Sequence, residues 1–403
     1  MPSSPFSRLA SAPALCALSV LCSLVTAIPA GAAPYTPSND QQVLETLPAK
    51  VGNAGARELR GLRAALAADP KNLDKALRLA RRYYAEVAAE GDPRYIGYAQ
   101  AALAPWWDQP DPPPAARVMR AMLLQFNHHF AEARADLNAA LQAEPDNAEA
   151  WAWLAAISLV QADYTQARRA CARLQALATP LIGRACVAQI DSLTGHSARA
   201  VADLRSALLQ FPQAEADQKL WALTRLAEAE ERRGDFPAAE AAYRRALDLQ
   251  LTDGYLLAAY ADFLLDRGRP GEVLTLLRGK TRSDLLLLRM ALAAKALNDP
   301  ALKGWESDLA ARFDAAQLRG DTVHQKEESR FALGVQRQAG RALVLAGQNF
   351  AVQREPADAR ILFEAALAAR QPAAAQPALQ WLADSGHDGV MLNGLAQQLK
   401  GQQ

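Results

Sequence analysis

Phe130-Ala131-Glu132-Ala133, Tyr164-Thr165-Gln166-Ala167, Ser197-Ala198-Arg199-Ala200 and Phe236-Pro237-Ala238-Ala239 align without a gap, and their last alanines are 34, 33 and 39 residues apart. Four places after each alanine comes a larger residue (Leu137, Cys171, Leu204, Tyr243), and seven places after it a small or apolar one (Ala140, Leu174, Ala207, Ala246). Offsets of four and seven lie on one helical face. A second helical pattern runs upstream of the turns: Trp151, Leu154 and Ala155 before Tyr164, and Leu223, Leu226 and Ala227 before Phe236. Each unit is therefore expected to be a helical hairpin. Its turn is marked by Ala162-Asp163, Gly195-His196 or Gly234-Asp235, where Gly or Asp ends one helix and caps the next. Small residues are needed where the two helices cross, which sets Ala121 against Ala133, Ala155 against Ala167 and Ala227 against Ala239.

Composition agrees with a helical repeat. The chain has 403 residues, 51% hydrophobic and 6% aromatic, with abundant Ala and Leu, which disfavours an all-β fold. Lys plus Arg number 44 against 43 Asp plus Glu, so the basic excess that nucleic acid or an anionic membrane surface requires is missing. Residues 1–33 read as a cleaved export signal: Arg8 is the lone charge before Asp40, Leu15 to Ile28 is mostly apolar, and Ala30-Gly31-Ala32 supplies small residues for cleavage. That apolar run is too short to span a bilayer and contains Ser19, Ser23 and Thr26. The mature chain is expected outside the cytoplasm, periplasmic or secreted, without a transmembrane segment. In an oxidising compartment Cys171 and Cys186 can form a disulfide; the alternative is two small buried apolar residues on neighbouring helices. Neither thiol has the Cys-x-x-Cys or His-pair context of a metal site.

The repeat resembles the tetratricopeptide repeat. Ala133, Leu137, Ala140-Leu141 and Pro145, and again Ala239, Tyr243 and Ala246-Leu247, meet that family's second-helix pattern. The resemblance is clearest over residues 114–253. A half unit precedes it, with Ala65-Leu66 and Pro70, then Leu79-Ala80 and Tyr83, whereas residues 87–113 depart from the pattern around Gly91-Asp92-Pro93 and Trp106-Trp107. The expected organisation is a leader over 1–33, an extended segment over 34–56 and a solenoid over 57–400. Degenerate units fill 254–385 and a capping helix 388–399. After residue 300 the spacing predicts helices at about 300–318, 322–335, 338–352, 356–369 and 372–384. Strict alternation pairs 322–335 with 338–352; the alternative joins 340–352 to 356–370. About nine or ten hairpins fit the length.

The resemblance implies an all-α, right-handed α-solenoid in which the first helix of each hairpin lines a concave face that holds a peptide or a partner helix. The positions it points inward are Trp153, Trp221, Arg225, Glu228, Tyr255 and Asp262. Aromatic residues and Arg are good anchors for a partner. No cofactor is implied. Gly-x-Ser-x-Gly, a phosphate-gripping Gly-Lys-Ser or Thr loop, Gly-x-Gly-x-x-Gly and His-Glu-x-x-His are absent from the sequence. His324 shares a helical face with Glu327 or Glu328, a spacing that reads as a solvated cluster or a metal pair. The leading expectation is a non-catalytic exported scaffold or adaptor for a protein or peptide, in envelope complex assembly. The competing expectation is an enzyme or glycan-binding domain on a helical-hairpin scaffold, with the segment after residue 300 or Trp106 and Trp107 as its site.

Overall fold

Two helices pack closely only where the facing side chains are small. In the computed structural model of the chain, which describes residues 54–90, 92 and 94–402, the alanines at each expected crossing lie between paired helices. Ala121, Ala133, Ala167, Ala227 and Ala239 are all fully buried. The expected leader over 1–33, nearly all of the segment 34–56, and Gly91 and Pro93 lie outside the described residues. The first helix, α1, spans Ala54–Ala67 and is followed by the pair α2 (Leu73–Glu90) and α3 (Arg94–Ala102), then by the single turn α4 (Ala104–Trp107). Eight further pairs follow. They are α5/α6 (Pro114–Phe126, Phe130–Ala143), α7/α8 (Ala148–Val160, Tyr164–Leu177), α9/α10 (Pro180–Leu193, Ser197–Gln210) and α11/α12 (Ala216–Arg233, Phe236–Leu247). After them come α13/α14 (Gly254–Asp266, Pro270–Leu276), α15/α16 (Asp284–Leu297, Leu302–Leu318), α17/α18 (Gln325–Gly334, Ala339–Val352) and α19/α20 (Pro356–Ala368, Gln376–Ser385). Helix α21 (Val390–Gly401) ends the stack, and the described residues contain no strand. The fold is an α-solenoid of helical hairpins.

Local chemistry explains the boundaries. Asn147, Asp163, Asp235 and Asp253 each accept a hydrogen bond from the backbone N–H three residues on, satisfying a donor that the first turn leaves free. Each of the eight pairs has one residue in the left-handed region at its turn: His128, Ala162, Gly195, Gly234, Gly268, Asn298, Arg337 and Arg370, with φ between 54° and 80°. That conformation ends the first helix and reverses the chain. Its recurrence extends the period past residue 253, where the side-chain pattern fades. Only three of the eight are Gly; at the others the backbone carries a cost of about 1 kcal/mol.

Burial chains the hairpins together. One apolar core runs from Val118 to Leu193, a second from Leu181 to Ala293, and Trp221 packs against both. Tyr243, Tyr260 and Phe263 form a ring cluster with centroids 5.4–6.1 Å apart in the second core. Cys171 of α8 and Cys186 of α9 are joined by a disulfide with their Cα atoms 5.5 Å apart, which ties one hairpin to the next. Phe313 and Phe331, centroids 5.5 Å apart, stack α16 onto α17, and a separate core then runs from Ala332 to Leu399.

The last hairpins also fold back on the earlier ones. Helix α2 packs against α13. Helices α17 to α21, the C-terminal block, lie along the turns of the α5–α12 hairpins. The Arg354 N–H donates to the Val160 carbonyl (2.7 Å), and Gln353 Nε2 meets His128 Nε2 at 3.0 Å. Trp381 Nε1 donates to the Tyr164 hydroxyl (3.2 Å). Asp388 accepts from Ser197 Oγ (2.5 Å) and from the Ser197 N–H (3.1 Å). Here Gly195, at φ 76°, passes so close to the Gly386 carbonyl that a side chain on it would collide. His387, expected in a terminal loop, is 5% exposed and faces the Leu193 carbonyl, Trp381, Arg232 and Asp388.

Arg370→Gly relieves a left-handed Arg and stabilises the chain by about 1 kcal/mol, whereas Gly195→Ala destabilises by at least that and raises hydrogen exchange over residues 386–401. Burial first, and Arg232 next, lower the His387 pKa to about 4 from 6.5. The unfolded chain therefore takes up this proton below about 6.5 and the folded chain only below about 4. Stability falls across that window by ~3 kcal/mol on this account and then levels off. In denaturation followed from pH 7 to 4, His387→Gln flattens the fall by that amount; an unchanged slope refutes the assignment.

Candidate functional site

Trp221, Arg225, Glu228 and Arg232 form one stripe on α11, spaced by four, three and four residues, and Tyr255, Asp262 and Asp266 form another on α13. The two stripes meet around Tyr255. The Arg225 guanidinium lies 4.6 Å from the centroid of the Tyr255 ring, a cation–π contact. Arg225 Nη1 is 3.1 Å from Glu228 Oε2, and the Tyr255 hydroxyl donates to Glu228 Oε1 at 2.5 Å. Arg225 is 9% exposed, whereas Tyr255 is 50% exposed. Burial of its hydroxyl end pushes the Tyr255 pKa above the usual phenol value, and Glu228 and Glu355 add to the shift against Arg225. Among the described residues Arg225 Nε is buried without a hydrogen-bond partner, which costs about 1–3 kcal/mol, whereas Glu228 Oε2 has the Arg225 charge beside it.

The other end of the α13 stripe is closed. Asp262 accepts from Arg289 of α15 (3.1 and 2.7 Å) and from both terminal nitrogens of Arg330 of α17 (2.9 Å each). Burial raises the Asp262 pKa, but the two guanidiniums outweigh it and hold the carboxyl well below its usual range. Asp266, one turn on, is gripped in the same two-pronged way by Arg360 of α19 (2.6 and 2.7 Å). Beside them, burial and the Asp266 charge push Glu231 up to about 7, with the Tyr243 hydroxyl donating to it at 3.1 Å. Glu355 also faces the open part of the strip. Its pKa is raised by burial against the attraction of Lys326 and Arg225.

The six inward positions read from the sequence therefore do not form one open groove. Arg225, Glu228 and Tyr255 come together, Asp262 is neutralised, and the two tryptophans serve packing. Trp153 is half-buried with its ring edge-on to Tyr84 of α2 at 5.8 Å, and Trp221 fills the joint between two cores. Trp153 packs on the N-terminal core as well as on the one that follows, so both indoles are partly taken up by packing. Sequence reasoning missed Glu231, Asp266, Lys326, Arg330, Glu355 and Arg360; the spacing of Asp266 from Asp262 by four was its one available signal. The solvated cluster expected at His324, Glu327 and Glu328 is corrected too. Both glutamates are buried, and Glu328 accepts from Gln317 and Arg341, because this face of α17 lies between α16 and α18. Trp106 and Trp107 pack half-buried on the N-terminal core.

Among the described residues no three His, Cys, Asp or Glu converge as a metal cage, and no helix is long and apolar enough to cross a membrane. Residues 127–180 match the tetratricopeptide repeat family. No curated protein matches the chain. Among solved structures it is similar to PilW, a type IV pilus biogenesis factor, with 20% identity, 50% of this chain and 94% of that one covered, and a TM-score of 0.39. It is also similar to the APC/C hetero-tetramer Cut9–Hcn1 (13% identity, 86% and 73% covered, TM-score 0.46) and to yeast Tom70 (13%, 86% and 58%, TM-score 0.37). These three likenesses are too low to carry a role to this chain. The family's signature over residues 127–180 thus lies inside a continuing series of helical hairpins of the same architecture.

Proposed function

We propose that the chain is an exported, non-catalytic scaffold that holds a protein or peptide partner on the strip formed by Arg225, Glu228 and Tyr255. The observation that carries this reading is the half-exposed Tyr255, whose hydroxyl is fixed by Glu228 while Arg225 stacks on its ring. A rigid aromatic with a polar tip, backed by an arginine, suits partner binding because it buries large area at small entropic cost. The leader read in residues 1–33 and the Cys171–Cys186 bond support a site of action outside the cytoplasm, most simply a bacterial periplasm, in the assembly of an envelope complex.

The competing reading, an enzyme in the segment after residue 300, would need two carboxylates converging on open space. Asp358 and Glu355 share a capping box at the start of α19 and are a candidate pair. Asp358, however, is fully buried and is held by Asn349 Nδ2 (2.9 Å), by the Glu355 N–H (2.9 Å) and by Lys326 Nζ (3.3 Å). Its carboxylate shapes the start of α19 and faces no substrate.

A photoreactive amino acid placed at position 255 of the full chain in the producing cell is expected to capture one protein, well above the background from exposed position 318. The same protein should co-purify with the wild type and be lost from an Arg225→Ala, Tyr255→Ala variant that keeps its helical circular dichroism. Equal capture at both positions would sink the reading.

A further inference from the structure

Asp262 and Asp266 sit one turn apart on α13, and each receives an arginine from the C-terminal block in two-pronged geometry: Arg330 from α17 and Arg360 from α19. Such forks are the strongest and most directional of protein ion pairs. Both arginines come from far along the chain, 68 and 94 residues after their partners. They approach along the same stripe that carries Tyr255 at its other end. With α17 and α19 withdrawn, the two stripes would present Glu228, Asp262 and Asp266 beside Arg225 and Arg232, with Arg289 of α15 still on Asp262. Both aspartates would then each lack a fork.

The block's two attachments differ in kind. Along the solenoid it is joined by apolar packing, Phe331 on Phe313 and Val335 within the same cluster. Across the solenoid it is joined by hydrogen bonds and ion pairs, at Val160, Tyr164, Leu193, Ser197, Asp262 and Asp266. Its own core closes on itself and takes only Ala162 from the earlier hairpins. Polar contacts of this sort exchange for equivalent contacts with another molecule, whereas the apolar joint resists opening because it would expose its surface to water.

We propose that the C-terminal block is a built-in competitor for the α13 carboxylates, and that the segment it keeps out is a partner helix with two arginines one turn apart. The spacing follows from the surface: aspartates four apart on one helix face match arginines four apart on another. The planar fork selects Arg over Lys. Tyr255, two turns from Asp262 on the same stripe, then receives the same partner two turns beyond its arginines, so this inference rests on reading the strip as a partner surface and specifies its ligand. A cover that is open one time in ten or less weakens apparent binding by about tenfold or more.

The probe is a labelled alanine-based helical peptide with two arginines four apart, with a two-glutamate version as control, titrated against the full chain. Ser197→Ala with Asp388→Ala loosens the block at its far margin and leaves α13 untouched; Gly195→Ala is the second route to the same release. Hydrogen exchange over residues 325–334 and 356–368, the helices that carry Arg330 and Arg360, reports whether the block has let go. The expected result is at least about tenfold tighter binding of the arginine peptide by the released variants than by the wild type. The control peptide should gain nothing, and the gain should vanish when Asp262→Asn and Asp266→Asn are added to a variant that still shows native helical circular dichroism. A block that stays protected in both variants, no gain on release, or a gain that survives the two Asn changes would each overturn the proposal. Partner capture at position 255 is read independently: if it succeeds while the peptide test fails, only the internal competitor falls.

Discussion

The structure depends on one constraint: a helical hairpin has an apolar face that it cannot cover by itself. The next hairpin must cover it, and the chain meets that demand by placing alanine at each crossing and bulk such as Leu137, Cys171, Leu204 and Tyr243 one turn beyond. Stability is then a chain of nearest-neighbour terms, and a defect at one joint is felt by the two hairpins that share it. Trp221 shows this directly, since it belongs to the surface of two cores at once. The disulfide between α8 and α9 reinforces one of these joints covalently. Because the stack consumes most of the apolar surface along its own axis, what is left for contacts across the stack is mainly polar, with Ala162 and Val390 as apolar exceptions.

That division explains why the fold-back is held by ions and hydrogen bonds. A buried ion pair contributes little net stability, because desolvation offsets most of the attraction, yet removing one member costs about 3–5 kcal/mol. Pairs such as Asp262 with Arg289 and Arg330 therefore fix which helices meet more than they strengthen the meeting. A slip by one turn of α17 against α13 would strand Asp262 with a single arginine and leave Arg330 buried without its fork. Helix α15 supplies Arg289 to the same carboxylate, so the register of three helices is read out at one residue.

The hairpin architecture was legible because it is local. Alanine spacing, Asp caps and the glycines at 195 and 234 all act within about ten residues of the feature they determine. Even where side-chain similarity fades, the helices after residue 300 begin and end where Pro, Gly and polar residues interrupt the apolar pattern, as at Pro356 and Gly386. The turns at Ala162, Arg337 and Arg370 were placed, but their left-handed conformation was not legible, because no L-residue type announces a conformation that tertiary packing imposes on it. The contacts across the stack were illegible for a different reason. Ser197 to Asp388 and His128 to Gln353 span 191 and 225 residues, and whether they meet depends on small rotations summed over every hairpin between them. This is also why the packing of Trp153 and Trp221 was not foreseen: the family pattern gives the face of a helix, but not how close the next turn of the solenoid comes to it.

Two residues on one stripe of α13 show what that closeness does to function. Tyr255 and Asp262 are seven apart, point the same way and were equal candidates by position. Tyr255 stays half open because its neighbours on α11 satisfy its hydroxyl and ring without covering it. Asp262 carries a charge that cannot be left dry and unpaired, so the fold brings two guanidiniums to it and the second of these carries the C-terminal block along. The exposed part of the strip is thus the aromatic part, and the covered part is the charged part. A partner that engages Tyr255 alone needs no rearrangement of this protein, whereas one that also reaches Asp262 and Asp266 must replace the two arginines in kind, since neutral groups would leave Asp266 without its fork and Asp262 with Arg289 alone.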